Sequence, residues 1–157
     1  MNDMPSICSP TGIPFFTEKV PCGFPSPGSD CREEPLDFNE LLVPHRAASY
    51  CIRAGGDSMM GAGIFAGDIL VVDRSIRPVF GDIVVAEYDG GFTVKRLLRP
   101  DSQDCKAILH PENPDYDDIH VSENAELTIF GVVSAVVRRI DRSWPRTGEK
   151  ASRRRIS

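Results

Sequence analysis

Residues 81–97 read GDIVVAEYDGGFTVKRL, and this stretch decides the fold class. Two runs rich in β-branched and aromatic residues, 83–88 and 92–98, flank Asp89-Gly90-Gly91. That arrangement predicts a β-hairpin, because glycine reaches positive φ without steric cost at the turn. Upstream, residues 49–54 (SYCIRA) alternate before a turn-like GGDS, and residues 68–73 (DILVVD) form the β-branched run of a buried strand. Downstream, residues 106–110 predict a short strand ahead of the loop PENPDYDD, and residues 127–137 (LTIFGVVSAVV) predict a longer one with Gly131 at a bulge. The expectation is a mostly β core of twisted sheets spanning residues 41–141.

The flanks lack this texture. Residues 1–40 carry prolines, glycines and serines with no sustained period of 2 or 3.6, which predicts a flexible N-terminal arm. Within its end, 36–43 (LDFNELLV) fits either a short helical turn or an extended anchor. A helix-turn-helix domain needs helical periodicity over several tens of residues, and the arm does not supply it. Residues 142–157 read as a basic, disordered tail. Residues 138–157 hold eight Lys/Arg against Asp141 and Glu149, a net of +6 within a chain of net charge −5, so the remainder carries −11. A solvated tail and a contact to nucleic acid both fit this asymmetry, and direct DNA binding stays open.

Composition excludes several classes. Of the 157 residues 41% are hydrophobic and 26% charged, as in a soluble globular protein. No run approaches the roughly 18 apolar residues of a membrane helix, and the N-terminus lacks the basic start and apolar stretch of a signal peptide. The expectation is a cytoplasmic protein with no membrane partner. Five scattered cysteines (8, 22, 31, 51 and 105) form no CxxC pair, and the histidines at 45, 110 and 120 are equally dispersed. Reduced thiols are expected, with no metal site and no cofactor.

Two residue types could carry chemistry. Ser58 sits in Gly56-Asp57-Ser58-Met59, between a strand and a glycine-rich segment; a serine in such a turn more commonly caps backbone amides. Lys95 lies in the second hairpin strand, sharing a face with Thr93 and Leu97, while Arg96 shares the other with Phe92 and Val94. Alternation leaves open which cation points inward.

Taken together, GDSMMGAGIFAGDILVVD (56–73), the 37-residue spacing from Ser58 to Lys95 and the hairpin GDIVVAEYDGGFTVKRL resemble the LexA/UmuD family of self-cleaving serine–lysine proteases. The resemblance runs from about residue 18 to 140. It includes VPCGFPSPGSD (20–30), similar to a cleavage region in which a Cys-Gly bond is cut, and ends in FGVVSAVVRRI (130–140). It implies Ser58 as nucleophile, Lys95 as base, and Cys22-Gly23 as the bond cut. A base must be able to lose its proton: burial lowers a lysine pKa, whereas a guanidinium stays charged, so Lys95 and not Arg96 is expected to face inward. Amides of the Ser58 turn are expected to hold the oxyanion.

The short, unpatterned N-terminal segment favours the UmuD branch of the family. By resemblance, a RecA–single-stranded DNA filament stimulates cleavage in the SOS response to DNA damage. The processed homodimer then serves a UmuC-type Y-family polymerase in translesion synthesis. The basic tail has no role in that resemblance. The alternatives are a LexA-like transcriptional regulator, for which a DNA-binding domain would be expected but which the basic tail keeps open, and a signal-peptidase-like enzyme, for which a membrane anchor would be expected.

Overall fold

The computed structural model describes residues 13–16 and 33–140. The chain divides into two compact units, Met1–Pro44 and His45–Ser157.

In the first unit, β1 (Ile13–Phe16) pairs antiparallel with β2 (Glu33–Leu36), setting Ile13 opposite Leu36 and Phe16 opposite Glu33. Sequence periodicity does not anticipate this pairing. A ladder of backbone hydrogen bonds requires no alternation of side chains, and the two strands are joined through residues 17–32. Helix α1 (Phe38–Leu42) starts where the Asp37 carboxylate accepts the Asn39 amide at 2.7 Å, an N-cap that settles the 36–43 stretch as helical from residue 38.

The second unit is one seven-stranded antiparallel sheet. Its strands are β3 (Ser49–Arg53), β4 (Ile69–Asp73), β5 (Ile83–Tyr88), β6 (Gly91–Leu98), β7 (Cys105–His110), β8 (Ile119–Ser122) and β9 (Leu127–Val137). Their order is β3-β4-β9-β5-β6-β7-β8. The expectation of a mostly β chain with little helix holds. Among the described strands the last, β9, inserts inside the sheet, joining the β3–β4 pair to the β5–β6 hairpin. Each of the two sequence blocks that resemble the protease family therefore lies next to β9.

Local chemistry accounts for most of these elements. The β5–β6 hairpin closes through Asp89 (φ 50°) and Gly90 (φ 73°), the two positive-φ positions of a type I′ turn. Gly91 already belongs to β6. β9 bulges as expected: Val85 pairs with Gly131 and Ala86 with Ile129, leaving Phe130 unmatched. A Cβ on Gly131 would sit 2.8 Å from Val72 Cγ1 and 2.9 Å from the Asp73 carbonyl oxygen, so only glycine allows β4 this close. Four-residue β8 is the strand absent from the sequence reading; Val121 is its one buried residue, too little for a period to register.

Alternate residues of β5 feed two apolar clusters. Val84 and Ala86 pack with Leu97, Leu109, Val121 and Val132, while Val85 packs with Leu70, Val72, Ala54, Met59 and Ile64. Burial on both faces explains why β5 reads as a continuous apolar run. At the end of β4, buried Asp73 accepts the Ser75 hydroxyl at 2.6 Å and the Ser75 amide at 2.7 Å, and pairs with His45 Nδ1 at 2.7 Å. The Ser75 hydroxyl first, and His45 next, hold the Asp73 carboxyl down at about 2. Because the folded value lies below the unfolded one, this carboxylate stabilises the fold above about pH 4 and the contribution fades as pH falls through 2. Urea unfolding of Ser75→Ala should therefore show a stability deficit at pH 6 that shrinks towards pH 2. A pH-independent deficit would count against this account.

Candidate active site

Ser58 occupies the turn that follows β3. The turn is knitted by backbone hydrogen bonds from Met60 N to Asp57 O (3.2 Å), Ala62 N to Met59 O (3.1 Å) and Gly63 N to Met60 O (2.9 Å), which form the 3-10 segment Met60–Ala62. Met59 and Ile64 on either side are buried in the apolar cluster. With Ala54 of the same cluster preceding it, Ser58 thus lies in a stretch anchored on both sides.

Lys95 lies in β6, opposite Val84 of β5, and only 8% of its surface is exposed. Its Nζ is 3.0 Å from Ser58 Oγ, 2.9 Å from Thr93 Oγ1 and 3.1 Å from the Val94 carbonyl oxygen. Burial depresses its pKa below the ordinary 10.5. The three partners are compatible with either protonation state of the amine. All three can accept, so an ammonium donates to each; once Lys95 has lost its proton, its two N–H groups stay with Thr93 and the Val94 carbonyl and the lone pair can face the Ser58 O–H. Arg96 turns the other way, donating to the Glu112 carboxylate and to the Gly81 carbonyl at 2.6 Å. The inward cation is the lysine.

A cleft of about 310 Å³ opens over this pair, lined by Ile52, Ala54, Ser58, Phe92, Val94 and Lys95 among others. An apolar groove of about 490 Å³ adjoins it, sharing Ile52, Val85 and Phe92 and adding Tyr50 and Phe130. The Phe92 and Phe130 rings lie 5.2 Å apart at its rim, with Phe92 72% exposed. An extended apolar peptide approaching the serine finds a matching surface here.

A second segment reaches the turn from 56 residues away. Asn113 Nδ2 donates to the Asp57 carbonyl at 3.1 Å, Tyr116 donates to the Asp57 carboxylate, and the Gly61 amide donates to the Glu112 carbonyl at 2.6 Å. A Cβ on Gly61 would lie 2.5 Å from that carbonyl oxygen, so this approach requires glycine. The Asp57 carboxylate pushes the Tyr116 hydroxyl above the usual phenol value, keeping it a donor into alkaline solution. Sequence reading placed residues 111–118 only as a loop, and treated Thr93 only as a neighbour of Lys95 on the strand. Nothing local marks either one, because their partners are supplied by the tertiary fold.

Ser58 and Lys95 are brought together, whereas Cys22, Gly23 and the 142–157 tail lie outside the described residues. Among the described residues, no three His, Cys, Asp or Glu side chains converge as a metal site, and no helix is long and apolar enough to cross a membrane.

Residues 14–134, more than half of the chain, match the model of the Peptidase S24-like family. The chain belongs to that family. Protein SamA of Salmonella typhimurium LT2 is 47% identical over 127 residues, covering 80% of this chain and 85% of SamA. Protein MucA of Escherichia coli is 40% identical over 124 residues, covering 78% and 82%. The LexA repressor of Acidithiobacillus ferrooxidans is 40% identical over 131 residues, covering 82% of this chain and 62% of the repressor. The family expected from GDSM, the lysine block and the Cys-Gly site is the family found. As an S24-like peptidase, the chain carries Ser58, Lys95 and the Cys22-Gly23 bond all within the matched stretch.

Proposed function

We propose that this S24-like peptidase cuts its own chain between Cys22 and Gly23, with Ser58 as nucleophile and Lys95 as base. The observation that carries the reading is the 3.0 Å approach of Lys95 Nζ to Ser58 Oγ in a site where burial favours the neutral amine. Neutral Lys95 takes the hydroxyl proton as Ser58 Oγ attacks the Cys22 carbonyl. The oxyanion that forms is held by amides of the serine turn. The lysine ammonium then passes its proton to the Gly23 nitrogen as the peptide bond breaks, leaving an ester between Ser58 and Cys22. Water, deprotonated by the same amine, hydrolyses that ester and restores Ser58.

The substrate chemistry fits the cleft. Gly23 brings no side chain between backbone and nucleophile, and the apolar groove suits the Val20 side chain as an anchor for the substrate. A cut between residues 22 and 23 also severs the covalent link between β1 and β2. Two paired strands of four residues are marginal once no longer joined, so cleavage changes the surface that the N-terminal unit offers to partners.

Within a cell the protease acts as a switch in the SOS response. A RecA–single-stranded DNA filament stimulates the cut in the cytoplasm, and the homodimer beginning at Gly23 serves a UmuC-type Y-family polymerase in translesion synthesis. Similarity to SamA at 47% identity, against 40% for the LexA repressor, supports this branch over a transcriptional regulator.

Incubation of the intact chain with RecA, single-stranded DNA and a nucleotide, or at alkaline pH alone, should yield a fragment whose mass and N-terminal residue begin at Gly23. A cut at any other bond would refute the substrate assignment.

A further inference from the structure

We propose that Asn113 is a positioning residue for this reaction: by donating to the Asp57 carbonyl it locks the Asp57–Ser58 peptide in the orientation that aims the Ser58 amide at the developing oxyanion. Tyr116 is the second grip on the same residue. The inference rests on the Ser58/Lys95 reading.

A peptide group is planar, and in its trans form the C=O and N–H point in opposite directions. Fixing the Asp57 oxygen therefore fixes the Ser58 N–H. That oxygen accepts from Met60 N at 3.2 Å and from Asn113 Nδ2 at 3.1 Å. The remaining half of the Asn113 amide is committed too, since its Oδ1 accepts the Asp115 amide at 3.0 Å and so sets which end faces Asp57. Asn113 is 7% exposed, and both ends of this buried amide are paired. Among the described residues, neither the Ser58 nor the Met59 amide serves as a donor in the backbone hydrogen bonds of the turn. Both remain available to an incoming oxygen.

The grip is directed beside the nucleophile and not at it. The 112–116 segment meets the turn at the Asp57 carbonyl, the Asp57 carboxylate and the Gly61 amide, which bracket Ser58 without touching its hydroxyl. Rotation of a turn peptide about its flanking bonds would swing the Ser58 amide away while leaving the Oγ–Nζ contact in place. The Asn113 hydrogen bond opposes that rotation. Its loss should reduce oxyanion stabilisation and spare the base.

The test uses the intact chain with Asn113→Asp, which keeps the shape but sets a carboxylate oxygen against the carbonyl, and Asn113→Ala. Two rates are followed from neutral to alkaline pH: self-cleavage, and labelling of Ser58 by a fluorophosphonate, whose P=O oxygen occupies the oxyanion position without needing the cleavage segment. A fall of about 10–100-fold in both plateau rates is expected, since removal of one oxyanion donor costs about 10²–10³-fold. The pH midpoint, set by Lys95, should not move. Melting curves establish that the variants are folded at the assay temperature. If the Asn113 variants do not fold, Tyr116→Phe, at an exposed position, should lower both plateaus several-fold. Folded variants that label at the wild-type rate, lose cleavage alone, or shift the midpoint with an unchanged plateau would overturn the proposal. Cleavage or labelling that persists in Ser58→Ala would instead overturn the Ser58/Lys95 assignment.

Discussion

Replacing Lys95 with arginine is expected to reduce self-cleavage by about 10²–10⁴-fold at every accessible pH, the span typical of a lost general base. The positive charge and much of the side-chain length are retained, so a purely structural or charge-pairing lysine would tolerate the change better. Guanidinium does not lose its proton in a protein, and its planar fork does not match the partners that Lys95 Nζ finds in the Ser58 hydroxyl, Thr93 Oγ1 and the Val94 carbonyl. The pH profile of the wild-type chain supplies the companion result. Below its folded-state pKa Lys95 is an ammonium with no lone pair, and cleavage is slow; the rate rises as pH passes through that value and then levels. Burial lowers the value, so the midpoint should fall below 10.5. A wild-type rate that falls as pH rises from neutrality to about 10, or an active Lys95→Arg chain, would remove lysine from the mechanism.

Ser58→Ala is the second large effect. Loss of the nucleophile should bring cleavage down by a factor on the order of 10⁴ to 10⁶, with no fragment over the time in which the wild-type chain is consumed. The fold should survive, because Met59 and Ile64 anchor the turn by their own burial and the turn's backbone bonds do not use the hydroxyl. Lys95 Nζ keeps Thr93 and Val94 as acceptors. An unchanged urea midpoint together with absent cleavage is the expected pair of results. Cleavage at a rate within tenfold of wild type would show that another group attacks the bond.

Much of the core was legible because the signals are local. The Asp89-Gly90 turn, the β-branched runs of β4 and β5 and the bulge beside Gly131 each follow from backbone preferences within a few residues. β8 and the β1–β2 pair were not legible: four residues carry no period, and strand pairing draws on backbone groups that every sequence possesses. The same limit applies to the candidate site. The ordered set of Cys22-Gly23, Ser58 and Lys95 marks the chemistry, and the ability to lose a proton makes Lys95 and not Arg96 the candidate base.

By itself, then, the sequence determined a mostly β chain, its peptidase family and the chemical identity of its candidate nucleophile and base. The tertiary structure decided which cation turns inward, since both faces of β6 carry apolar residues and only the neighbours distinguish them. It also decided that Thr93 and Val94 orient the amine, and that Asn113 and Tyr116 hold the turn beside Ser58. These are contacts in which the partner is chosen by packing: the 112–116 segment reaches Asp57 across 56 residues of chain, a distance over which periodicity carries no information.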